Sequence, residues 1–203
     1  MITVRQIERS WSGKQYTRLL RELLAARPEG VLAMHFDSGR AAAAAAMAII
    51  RLDELSQSHA PLCAQLIRSL LTSQEADGGW GDPAVTALCL RALLCGNGQG
   101  IAIERGMAYL AALQKPEGIW PREPMRRMPA DTLVSAFILY ELADDTAFRA
   151  AVRVEEAVNW FNANERSLDM EARRLWEHAK ARCYPARPPS ATATAIGSAA
   201  DAA

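Results

Sequence analysis

Apolar positions along the chain recur at helical spacing in a succession of segments separated by turn residues. Over 15–26 (QYTRLLRELLAA), Tyr16, Leu19, Leu20, Leu23 and Leu24 share one face, and Pro28 and Gly30 stop the pattern. A second helix is expected over 38–55, where AAAAAAMAII is apolar on every side and calls for protein all round it. The third, 62–73, is amphipathic, with Leu62, Leu66 and Leu70 along one stripe. The fourth, 83–95 (PAVTALCLRALLC), is again almost wholly apolar and ends in Gly96-Asn97-Gly98. A fifth is expected over 101–114 and an apolar sixth over 131–142, followed by two more charged helices over 152–163 and 168–182. Amphipathic and all-apolar helices alternate through the first three pairs. That is the pattern of a two-layer array, outer helices exposed on one side and inner helices enclosed.

The fold class is therefore all-α, and composition agrees: Ala fills 39 of 203 positions while aromatic residues make up 6%. From Pro185 the chain reads PARPPSATATAIGSAADAA, a tail too poor in apolar surface to order itself, so the expected organisation is one helical domain, 1–184, with a disordered tail, 185–203. Lys and Arg total 23 against 23 Asp and Glu, with no basic cluster of the kind that displaces counterions from a nucleic acid. No stretch is apolar enough to span a membrane, and the first thirteen residues do not read as a signal peptide, which leads to the expectation of a cytoplasmic protein. Cys63, Cys89, Cys95 and Cys183 lack metal-site spacing and are expected as unpaired thiols. His35, His59 and His178 form no ligand set, so neither a metal nor a cofactor is expected.

The chain also repeats itself. SLLTSQEADGGW, ending at Trp80, realigns with AYLAALQKPEGIW, ending at Trp120, on a shift of forty positions, with Gln74 and Gln114 each six residues before Trp. ARPEGVL, starting at Ala26, is a degenerate copy, and VNWFNAN, starting at Val158, a fainter one. About four helical hairpins result. In each full copy a Gln closes the outer helix, a Gly (Gly79, Gly118) supplies the turn, and Trp staples the inner helix. This motif resembles the QW repeat of squalene-hopene and oxidosqualene cyclases and the related repeat of protein prenyltransferase β subunits. The resemblance implies an α/α toroid with an apolar cavity ringed by inner helices, here partial because the chain holds too few hairpins to close a ring. It implies an apolar isoprenoid-like ligand, or a protein partner or second copy completing the toroid, on the inner surface. The acidic motif of those cyclases, D-x-D-D-T-A, corresponds to Met128-Pro129-Ala130-Asp131-Thr132-Leu133, with Ala130 where the family's proton-donating Asp stands. The resemblance thus implies a scaffold without class II protonation chemistry.

Candidate site residues follow from position. Asp37, Asp82 and Asp131 each stand at the expected start of an inner helix; each reads as an N-cap or, gathered at one mouth of the array, as part of a site for a cation. Asp131 is the one candidate for catalysis in the alternative reading, a small cyclase or prenyltransferase-like enzyme or subunit. Between Trp120 and Asp131 the insertion PREPMRRMP carries Arg122, Arg126 and Arg127, an Arg cluster, with Arg126 and Arg127 its candidate ligands, that could bind a prenyl diphosphate or a partner's acidic patch or simply be solvated.

Overall fold

The computed structural model describes residues 33–96 and 100–184; the expected helix over 15–26 and the tail over 185–203 lie outside the described residues. Eight α-helices follow one another: α1 (Ala33–Glu54), α2 (Pro61–Ser73), α3 (Pro83–Cys95), α4 (Gly100–Leu113), α5 (Thr132–Leu142), α6 (Thr146–Ala151), α7 (Val154–Asn164) and α8 (Met170–Cys183). A 3-10 turn (Glu165–Ser167) precedes α8. No strand occurs among the described residues, only an isolated bridge between Pro121 and Ala130.

Capping chemistry sets most boundaries. Asp82 and Asp131 accept from the backbone N–H of Val85 and Val134, so α3 begins at Pro83 and α5 at Thr132. Asp145 caps a six-residue helix, α6, absent from the sequence reading because one and a half turns carry too little periodicity. Asp169 accepts from the N–H groups of Glu171 and Ala172 and starts α8 two residues later than expected. The start of α1 is a clear correction. Ser38-Gly39 reads as a helix entry, yet the backbone is already helical at Ala33. Gly39 is internal to α1, beside the entry to α3, where a Cβ would make only an ordinary contact, 3.6 Å, with the Trp80 carbonyl oxygen.

The helices pack as a row with a cover. α1 packs on α3, α3 on α5 and α5 on α8, while α2 lies against α1, α4 against α3, α6 against α4, and α7 against α8. The row is parallel. Gly39 of α1 meets the entry of α3, and at the opposite ends Arg91 of α3 pairs with Asp144 beyond α5 while Arg182 of α8 donates to the Tyr140 carbonyl of α5. The central members, α3 and α5, are buried nearly all round, as their apolar sequences require. At the end of the row a charged helix suffices: α8 buries one stripe, Ala172, Leu175, Trp176, Ala179, Arg182 and Cys183, and leaves the rest to solvent. Within it Trp176 stacks on Phe161 of α7 at 4.6 Å.

Candidate functional site

Two clamps join the cover helices to the row. In the first, the Trp80 indole Nε1–H donates to the Leu70 carbonyl of α2 at 2.8 Å, and the Trp80 backbone N–H donates to Thr86 Oγ1 of α3. The Gln74 amide donates to the Gly78 carbonyl and, across the chain, to the Ala102 carbonyl in the first turn of α4. In the second, Trp120 donates from its indole to the Leu110 carbonyl at 2.8 Å and from its backbone to Ser135 Oγ. The Gln114 amide donates to the Gly118 and Arg153 carbonyls, and its oxygen accepts from the Arg153 backbone N–H at the start of α7. Leu70, Gln74, Gly78 and Trp80 thus stand in one-to-one relation, forty residues on, with Leu110, Gln114, Gly118 and Trp120. The Gln side chain therefore ties consecutive cover helices together, rather than only satisfying the end of its own helix.

The turn glycines refine the reading of the motif. Positive φ occurs at Gly78 (94°) and Gly118 (86°), so the first copy's equivalent of Gly118 is Gly78, not Gly79. Each lies hard against the next cover helix: a Cβ on Gly78 would collide with the Arg105 carbonyl, and one on Gly118 with the Ala157 backbone. Gly79 has a different duty, since a Cβ there would meet the Tyr109 ring at 2.7 Å. That ring's hydroxyl donates to the Gly81 carbonyl.

The row's parallel direction puts Asp82 and Asp131 at the same end of adjacent helices. Asp131 is fully engaged: Oδ1 accepts from Val134 N–H at 2.9 Å and Oδ2 from Arg122 Nε at 2.8 Å. Both oxygens accept, which is the arrangement of a cap and an ion pair. Asp37 stands inside α1 rather than at its start, so the expected third cap is corrected. Among the described residues no group of three His, Cys, Asp or Glu could hold a metal ion, and no helix is long and apolar enough to cross a membrane. A hollow of about 740 Å³ lies at the entry to α8, lined by Asn162, Ala163, Glu165, Arg166 and Arg173 beside the 3-10 turn, and its polar walls do not suit an isoprenoid.

On either side of the fully buried Ala87, Leu88, Ala136 and Phe137, the row also has a stripe of less buried positions. On α3, Ala84 and Arg91, seven residues apart, are only half-buried, and Leu133 and Tyr140 repeat that placement on α5, forty-nine residues on. On α1, Ala44 and Arg51 occupy the corresponding places forty residues earlier and are exposed. This stripe ends in charge. Arg51 pairs with Glu54, and Arg91 lies 3.4 Å from Asp144; burial works against the Arg91 charge, but Asp144, Cys95 and Glu141 together outweigh it and hold the guanidinium above its usual range. Glu141, 4% exposed, lies close enough to act on Arg91, Cys95 and Tyr140. Burial pushes the Cys95 thiol up to about 11 and the Tyr140 hydroxyl upward, and brings the Arg182 guanidinium, stacked 4.3 Å over Tyr140, down to about 10. These residues were missed in the sequence. The signal was there, in a single Arg within the apolar PAVTALCLRALLC and a Tyr-Glu pair at the end of TLVSAFILYEL. Cys63, Cys89 and Cys183 are buried thiols.

Comparison with known proteins adds no assignment: no family model, curated protein or solved structure matches the chain.

Proposed function

We propose that the chain is a small, divergent QW-repeat protein, a partial α/α toroid, that works as a protein-binding module through the part-exposed, charged stripe of its inner row. The two clamps support the family reading, because the motif's Gln and Trp make the same bonds twice between the same classes of element. The observation that carries the functional reading is the chemistry of that stripe. A cavity for a polyene or a carbocation wants apolar and aromatic walls, whereas this stripe presents Arg51, Arg91 and Tyr140 over ion pairs with Glu54 and Asp144. Arg and Tyr with a few aliphatic neighbours are the residues that anchor protein interfaces. The alternative enzyme reading gains nothing from Asp131, whose two oxygens are occupied.

A photo-crosslinking amino acid at Leu133, on the stripe, tests this in cells against the same group at Glu104 on the exposed side of α4. The expected result is a crosslink to one discrete polypeptide from position 133 only, a second copy of the chain included. A stoichiometric isoprenoid in an organic extract of the purified chain, with no polypeptide crosslink, would replace the partner reading with the ligand reading.

A further inference from the structure

The two clamps share their bonds but not their connections. One residue, Gly81, separates Trp80 from Asp82; ten, Pro121 to Ala130, separate Trp120 from Asp131. The short connection shows that the fold needs no more. The additional nine residues are nevertheless built as a stiff finger. Its base is closed by the Pro121–Ala130 bridge, by the Asp131 N–H donating to the Trp120 carbonyl and by the Arg122–Asp131 ion pair. Its middle is pinned by Lys115 Nζ donating to the Arg126 carbonyl at 3.1 Å, and its tip is turned by Met128 N–H donating to the Met125 carbonyl. Pro124 and Pro129 remove further backbone freedom.

None of these pins uses the side chains of Arg126 or Arg127. Both are exposed, and among the described residues neither has a carboxylate within 4.0 Å, whereas Arg51, Arg91 and Arg122 do. Arg127 lies over the Met125 sulfur, and Met125 is itself 37% exposed. In a chain of zero formal net charge, an ordered projection with two adjacent unpaired guanidiniums beside an apolar thioether has no role in holding the fold. Insertions confined to one repeat of an array fall on its binding face.

We infer that the finger, residues 121–130, is a preorganised docking element for a carboxylate-rich segment of a partner protein, with Arg126 and Arg127 as forked donors to Asp or Glu side chains and Met125 as the apolar contact between them. Positions 124–127 are exposed in succession, and Met with Arg is a protein-interface pairing rather than a phosphate cradle. The finger's order before binding keeps the entropic cost of association low. The inference does not depend on what occupies the stripe of the row.

The test uses the full chain and a short fluorescent peptide of alternating Glu and Leu at low salt, read by anisotropy. Binding is expected, weakening with salt and falling about tenfold or more in Arg126→Ala/Arg127→Ala. Replacing 121–130 by a single Gly, to reproduce the first connection, is expected to abolish binding and keep the helical circular dichroism. Arg68→Ala/Arg174→Ala removes two exposed charges elsewhere and is expected to change affinity less than twofold. Absence of binding to the native chain, an equal loss in the Arg68/Arg174 variant, displacement of the peptide by inorganic diphosphate, or equally Arg126/Arg127-dependent binding to phosphatidylserine vesicles would each overturn the proposal.

Discussion

The clamp at Trp80 and the clamp at Trp120 are the same device under different loads. In both, an indole N–H reaches back four residues before the Gln to a cover-helix carbonyl, and a Gln amide reaches forward to the next cover helix. The second is the more heavily used: Gln114 is 2% exposed and also accepts from Arg153 N–H, and Trp120 stacks on Phe148, whereas the guanidinium bond is common to both, Arg153 to the Lys115 carbonyl and Arg105 to the Glu75 carbonyl. The first clamp's Gln74 is half-buried and accepts no such bond among the described residues. What repeats between them holds the fold; what does not repeat, the ten-residue finger, is free to do something else.

That comparison is easiest to break at the glycines. Gly118→Ala and Gly78→Ala each force a positive φ on a side chain and drive a Cβ into the backbone of the next cover helix. Each is expected to lower unfolding free energy by about 3 kcal/mol or more in urea titrations, with similar values in the two clamps. The glutamines sharpen the difference. Gln114→Ala leaves the Gly118 carbonyl and the Arg153 N–H without their partner and the Arg153 carbonyl with Ala157 N–H alone, and is expected to cost about 3 kcal/mol; Gln74→Ala removes two bonds to carbonyls nearer solvent, about 1–2 kcal/mol. Equal losses would show that the extra Arg153 bond carries no weight.

A pH dependence should appear on the alkaline side. Burial raises the Cys95 and Cys183 thiols from 9.0 to about 11 in the folded chain. Between pH 9 and 11 the unfolded chain therefore gives up protons that the folded chain keeps, so this stability is present below pH 9 and is lost as pH rises through about 11. The loss is about 1 kcal/mol for each thiol by pH 10. Thermal melts at pH 8 and pH 10 are expected to differ less in Cys95→Ala/Cys183→Ala than in the native chain. The smallest effect is expected from replacing the finger by one Gly, within about 0.5 kcal/mol of native stability, because no bond common to the two clamps passes through it.

The spacing of Gln74, Trp80, Gln114 and Trp120 was legible because a repeat is a pattern in sequence, and alternation of apolar and amphipathic helices correctly separates α3 and α5 from their covers. The acceptor of each Gln was not legible, since Ala102 and Arg153 lie 28 and 39 residues away, in helices brought close only by packing. Nor was the choice of Gly78 over Gly79, because both positions are glycine and only the approach of Arg105 decides which carries the turn. Ser38 misled as a helix start because the apolar run that marks the helix begins only at Ala41, whereas the backbone is already helical from Ala33. The stripe was overlooked for another reason: a single Arg or Tyr in an apolar helix passes for noise until Arg51, Arg91 and Tyr140 are set in register along the row.

The central claim, that one Gln/Gly/Trp clamp used twice holds the cover helices to the row, is tested most directly by hydrogen exchange of the Trp80 and Trp120 indole N–H groups followed by nuclear magnetic resonance. Both protons are expected to exchange only through global unfolding, at the free energy measured in urea, with Gln114→Ala accelerating both by the same factor, the one its loss of stability sets. Rapid exchange of either indole in the native chain, independent of global stability, would contradict it.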